Sequence, residues 1–122
     1  MCILLVEDEA LIRMLLTEEL YADGFEVAEA VDGDHAARLI EHATKPFSLL
    51  LTDVQMPGAV DGVALVRMMR DAHPDVPIIL TTGRPDSLCP LGPLREREKV
   101  LLKPFLPSEL LREIHGLLDR PD

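Results

Sequence analysis

Short apolar runs alternate along this chain with longer stretches of helical period. The first run, Cys2 to Val6, breaks at the acidic triplet Glu7-Asp8-Glu9. From Ala10 to Asp23, the residues Leu11, Ile12, Leu15, Leu16 and Leu20 fall near a 3.6-residue repeat, and Gly24 stands where such a helix would stop. Phe25 to Val31 alternates apolar with acidic residues, the pattern of a half-covered edge strand. Asp34 is placed to cap a helix running through Thr44, with Ala36, Ala37, Leu39 and Ile40 on its inner face. Phe47 to Thr52 forms a third strand, and Asp61 opens a helix to Ala72 that His73-Pro74 closes. Val76 to Thr82 is a fourth strand, Lys99 to Leu102 a fifth, and Ser108 starts a last amphipathic helix carrying Leu110, Leu111, Ile114, Leu117 and Leu118.

Near-continuous apolar strands alternating with helices of this length predict an α/β fold whose parallel sheet is covered on both faces. Its crossovers are right-handed. The expected architecture is a doubly wound, flavodoxin-like (βα)5 domain with strand order 2-1-3-4-5, whose reactive edge lies at the carboxyl ends of the first and third strands. The fourth connection interrupts the rhythm. It reads "GRPDSLCPLGPLREREKV", with Pro85, Pro90 and Pro93 plus Gly92. Proline inside a helix costs roughly 3 kcal/mol, so at most a short turn fits between Pro85 and Pro90, and an irregular or shortened fourth helix is expected. Leu88, Leu91 and Leu94 recur within this segment. They serve either local packing under the loop or an apolar surface for a partner.

The 122 residues suit a single domain over 1–122, and no linker or second domain is read before Asp122. Aromatic residues make up only 3% of the chain, so the core should be aliphatic. The 12 basic residues stand against 22 acidic ones, a net charge of -10, which argues against direct nucleic-acid binding. It agrees with a cation site, a basic protein partner or simply a solvated acidic surface. Cys2 and Cys89 have no metal or redox spacing, and the four histidines (His35, His42, His73 and His115) have no ligand spacing with one another. The apolar run at the start is too short for a signal peptide, and no stretch is long enough to cross a membrane. A reduced, cytoplasmic protein is the expectation.

The polar residues at the strand ends change the picture. Glu7 and Asp8 follow the first strand, Asp53 the third, Thr81-Thr82 the fourth and Lys103-Pro104 the fifth. A parallel sheet gathers all of them on one edge. Three carboxylates packed together should raise at least one pKa unless a cation intervenes. A hard divalent ion, Mg²⁺ by preference, suits carboxylate oxygens, waters and a phosphoryl oxygen. Lys103 adds a compact positive charge and Thr82 a hydroxyl donor. An aspartate held in this way is a candidate nucleophile that would form an acyl phosphate. A rigid strand tip also explains why the buried run Leu49-Leu50-Leu51-Thr52 ends on Asp53, a carboxylate costly to desolvate.

With "LLVEDE", "LLLTDVQMPG", "IILTTG" and "LLKPF" in order, each closing its strand, the chain resembles the receiver domain of bacterial two-component response regulators over nearly its whole length. The resemblance implies Asp53 as phosphoacceptor, with Asp8 ligating Mg²⁺ directly, Glu7 acting mostly through water and Gln55 through its main-chain carbonyl. It implies that Lys103 contacts the phosphoryl group, that Thr82 follows it on activation, and that Lys103-Pro104 is cis. Thr82 rather than Thr81 matches the family pattern, by its place before Gly83. The partners implied are a histidine kinase or histidine phosphotransfer protein and a downstream protein target, with a homodimer also open and neither nucleic acid nor membrane involved. As an enzyme the domain would act only on itself, in its own phosphorylation and dephosphorylation.

The chain departs from the family pattern in three places. Val100 stands three positions before Lys103, where receivers carry an aromatic residue that reads out the switch. Gly58-Ala59-Val60 lengthens the turn after Met56-Pro57, and the proline-rich segment replaces a helix. The leading reading is a stand-alone receiver that relays phosphate, or drains it from a kinase, and signals by protein contact. The alternative is a phosphorylation-independent pseudo-receiver that acts purely as an interaction module. A small-molecule enzyme ranks behind both, because no glycine-rich cofactor loop follows the first strand.

Overall fold

The structure, a computed structural model, describes residues 1–118. Five parallel strands, β1 (Cys2–Val6), β2 (Glu26–Ala30), β3 (Leu49–Asp53), β4 (Ile78–Thr82) and β5 (Glu98–Leu102), form one sheet in the order β2-β1-β3-β4-β5. This is the predicted flavodoxin-like order. Helices α1 (Ala10–Ala22), α2 (Gly33–His42), α3 (Gly62–Ala72) and α4 (Pro107–Leu118) connect or follow the strands. Between β4 and β5 the chain makes only a 3₁₀ segment, Pro85–Leu91, as its prolines require.

Side-chain alternation divides the sheet into two aliphatic layers. Leu4, Val6, Leu50, Ile78 and Leu80 pack under α2, α3 and the 3₁₀ segment. Ile3, Leu5, Leu49, Leu51 and Ile79 pack against α1 and α4. The central strands β3 and β4 are buried along their whole length, whereas β2 and β5 at the edges are only partly covered. Leu91 is buried, and Leu88 packs against the first layer beside it. Local packing under the loop accounts for these two, whereas Leu94 is exposed.

Several boundaries move, each for a local reason. β4 starts at Ile78 rather than Val76 because Pro77 has no N–H for the ladder, although its carbonyl accepts from the Leu50 amide at 3.0 Å. β3 runs one residue further than the apolar pattern, with Asp53 paired to Thr81 in the last rung. Asp34 does not cap α2. The cap is Asp32, whose Oδ1 accepts the His35 N–H at 2.8 Å. Asp61 caps α3 as expected, accepting the Ala64 N–H at 2.9 Å. The Lys103-Pro104 peptide bond is cis.

Candidate functional site

The acidic site is built from the carboxyl ends of β1, β3 and β5. The Glu7 amide continues the ladder by donating to the Ala30 carbonyl at 3.2 Å, which carries the acidic pair rigidly off the end of β1. Its carboxylate is buried, with 3% of the residue exposed, and Oε2 accepts the Glu9 N–H at 3.1 Å. Arg13 in α1 donates to the Glu7 carbonyl at 2.7 Å, fixing the turn from strand to helix. Asp53, 8% exposed, stands on the neighbouring central strand. Gly62 lets α3 press against this tip, for a Cβ there would meet the Asp53 carbonyl oxygen at 2.4 Å.

Lys103 is delivered by β5 to the same place. Its amide donates to the Thr82 carbonyl at 2.9 Å. Its Nζ lies 3.0 Å from Asp53 Oδ2 and 3.9 Å from Glu7 Oε1. Burial works against the ammonium charge, but the hydrogen bond and charge of Asp53, with Glu7 and Glu9 behind it, outweigh that and hold Lys103 above its ordinary pKa.

One carboxylate oxygen from each of Glu7, Asp8 and Asp53 lies within 4.8 Å of the other two. Two oxygens on opposite sides of a single Mg²⁺ stand about 4.2 Å apart, from a metal–oxygen distance of about 2.1 Å. The bound on these separations lies close to that span, and the donor chemistry suits one small hard cation. Left to themselves, the acids oppose one another. Burial first, then the charge of Asp53, pushes Glu7 up to about 7, despite the Glu9 amide and Lys103.

This shift has a testable sign. A folded-state pKa above the ordinary 4.5 means that folding takes up a proton, so the stability contribution is whole below that value and is lost as pH rises through about 7. In chelator, the midpoint of thermal unfolding should fall between about pH 5 and about pH 8 by an amount worth up to a few kcal/mol, one unit being about 1.4 kcal/mol. Glu7→Gln should flatten that slope, and excess Mg²⁺ should offset it by binding the folded form. An equal slope in wild type and Glu7→Gln would refute the assignment.

Glu7, Asp8, Asp53 and Lys103 are thus brought together as expected. Thr82 sits at the adjoining strand tip, and its hydroxyl is turned to the 3₁₀ segment. It accepts the Arg84 N–H at 3.0 Å and lies 3.3 Å from Ser87 Oγ. Thr81 is paired within the ladder, its carbonyl accepting the Val54 N–H at 3.0 Å. Gln55 is exposed in the loop two residues beyond Asp53. Val100 packs against the first core layer, filling its position with a small aliphatic group rather than a ring. The part played by Arg13 was missed, since a lone arginine one turn into a helix carries no local signal of its partner.

The family profile described as response regulator receiver domain matches residues 3–115. PetR of Rhodobacter capsulatus is 38% identical over 126 residues, covering 97% of this chain and 48% of PetR, so the chain spans about half of that relative. The response regulator receiver protein CpdR of Brucella abortus is 37% identical over 95% of this chain and 95% of its own length. Among solved structures, the receiver domain of the hybrid histidine kinase CckA superposes with a TM-score of 0.82 at 30% identity, over 98% of this chain and 100% of that one.

Proposed function

Because the chain belongs to the response regulator receiver family, we propose that it accepts a phosphoryl group on Asp53 from a phosphohistidine of a kinase or phosphotransfer protein and passes the signal on by protein contact. The observation that carries the reading is the 3.0 Å pairing of Lys103 Nζ with Asp53 Oδ2 inside a three-carboxylate cluster. In the transfer, a carboxylate oxygen of Asp53 bonds to phosphorus as the donor's P–N bond breaks, its electron pair returning to the imidazole. Lys103 is already in place for a phosphoryl oxygen, and the strand tip holds the nucleophile still. Asp8 and Asp53, with Glu7 through water and the Gln55 carbonyl, would hold Mg²⁺, which would supply positive charge against the phosphoryl oxygens. In this reading the domain turns over only its own phosphoryl group, in the cytoplasm. Incubation with acetyl phosphate and Mg²⁺ followed by intact mass tests this. A phosphoryl adduct supports it, and a folded protein that takes none from any donor supports the phosphorylation-independent module instead.

The donor needs a place to sit. Ile12, Leu15 and Leu16 of α1 face Pro104, Phe105 and Pro107 across an apolar groove of about 600 Å³, with Glu7 and Lys103 at one end. Leu15 is 52% exposed there, and Leu11, Met14 and Leu106 are exposed as well. This groove suits an amphipathic helix carrying the phosphohistidine beside Asp53. Leu15→Glu should slow transfer from a phosphohistidine protein by about tenfold, the loss of a single anchoring contact. Labelling by acetyl phosphate should stay unchanged. Equal slowing of both routes would count against the groove.

A further inference from the structure

Asp34 carries a contact that neither its helix nor the acidic cluster requires. It lies in the first turn of α2, whose end is already capped by Asp32. Its Oδ1 instead accepts the N–H of Val60, 3.1 Å away and 26 residues further along the chain. Gly33 makes room for this crossing, and Gly58 lets the chain turn there with a positive φ. At Gly33 a Cβ would stand 1.9 Å from the Val60 carbonyl oxygen, so only glycine lets the loop lie this close. At Gly58, where φ is +100°, the space a Cβ would take lies 3.4 Å from Asp34 Oδ2. The Val60 side chain packs into the first core layer beneath. Among the described residues, no other hydrogen bond ties residues 55–60 to another element.

The segment so held is the lengthened turn that leads from Asp53 to α3. Every residue in it that is ordered gives up backbone entropy. Gln55, at its start, is the residue whose main-chain carbonyl would complete the proposed cation site. We propose that Asp34 is a positioning residue for the phosphoacceptor site: by holding the Val60 amide it fixes the turn 56–60 and, through it, the Gln55 carbonyl that would meet the cation. This rests on the reading of Glu7, Asp8 and Asp53 as a Mg²⁺ site. Asp34 acts as a hydrogen-bond acceptor, and its charge is incidental.

Mg²⁺ affinity by calorimetry and amide hydrogen exchange across residues 55–60 test this in wild type, Asp34→Asn and Asp34→Ala. Outer partners of metal ligands are worth about tenfold or more in affinity. Asp34→Ala should therefore weaken Mg²⁺ binding by about tenfold and speed exchange at Val60. The amount of adduct formed at saturating Mg²⁺ should be unchanged. Asp34→Asn, which keeps the acceptor oxygen, should stay close to wild type. Asp34→Ser, too short to reach Val60, carries the same expectation as alanine and replaces it if that variant does not fold. The proposal is overturned if alanine leaves affinity and exchange within about twofold, if asparagine loses as much as alanine, or if wild type binds no Mg²⁺. A wild type that binds Mg²⁺ but takes no phosphoryl group would sink the phosphorylation reading alone.

Discussion

Asp53→Asn protein incubated with acetyl phosphate and Mg²⁺ should gain no mass, while wild type gains one phosphoryl group. The substitution keeps shape and position at the strand tip. It replaces an anionic oxygen nucleophile with a neutral amide whose lone pairs are tied up in resonance. Neither neighbouring carboxylate is placed to take over. Glu7 is buried with Oε2 committed to the Glu9 amide, and Asp8 does not have the 3.0 Å contact that Lys103 makes to Asp53. Loss should therefore be complete rather than partial. Stability should behave in the opposite way. Asp53 is one of the charges that push Glu7 up, so its removal relieves repulsion in the metal-free pocket, and the unfolding midpoint in chelator at about pH 8 should not fall. An adduct persisting on the asparagine variant would show that phosphate is taken up elsewhere and would end the assignment of Asp53.

The sheet order and the acidic pocket were legible in the sequence for the same reason. Each depends on residues whose character is set locally and whose location follows from topology. Leu49-Leu50-Leu51 can only be a buried strand, and whatever follows a parallel strand must lie on the reactive edge. Glu7, Asp53 and Lys103 therefore meet, although 46 residues separate the first two and 50 the last two. The three prolines likewise announce the irregular fourth connection. What stayed hidden depends on pairs with no local signature. Asp34 reads as a helix cap from its neighbours, because Asp32 and Asp34 are equivalent by composition. Only the approach of Val60, which Gly33 permits, gives the second aspartate a different partner. Val100 was legible as a departure, but its aliphatic packing against the first layer was not.

The largest stability effect should come from a pair of this hidden kind. Arg70 of α3 and Glu98 at the start of β5 are 28 residues apart, Glu98 buried and Arg70 half-buried, with side chains 5% and 12% exposed. Nε donates to Oε2 at 2.9 Å and Nη2 to Oε1 at 2.5 Å. The Arg95 amide adds a third bond to Oε1 at 2.8 Å. Burial works against the Glu98 charge, but the hydrogen bonds from Arg70 and Arg95 outweigh it and hold its carboxyl below the ordinary value. α3 also reaches the proline-rich segment, where Arg67 donates to the Pro90 carbonyl. A regular helix would satisfy such carbonyls internally, whereas a chain broken by prolines needs outside donors. Arg70→Ala would leave Glu98 charged and buried with only one amide, a loss of about 3–5 kcal/mol, read as a fall in the unfolding midpoint on the order of 10 °C. Arg70→Met combined with Glu98→Leu should recover most of that loss, since removing both charges also removes their desolvation cost. A loss below about 1 kcal/mol for Arg70→Ala would place the pair among solvated surface charges. Failure of the double variant to recover would mean that the ion pair, beyond filling space, is what holds β5 and the 3₁₀ segment in register with Thr82 and Lys103.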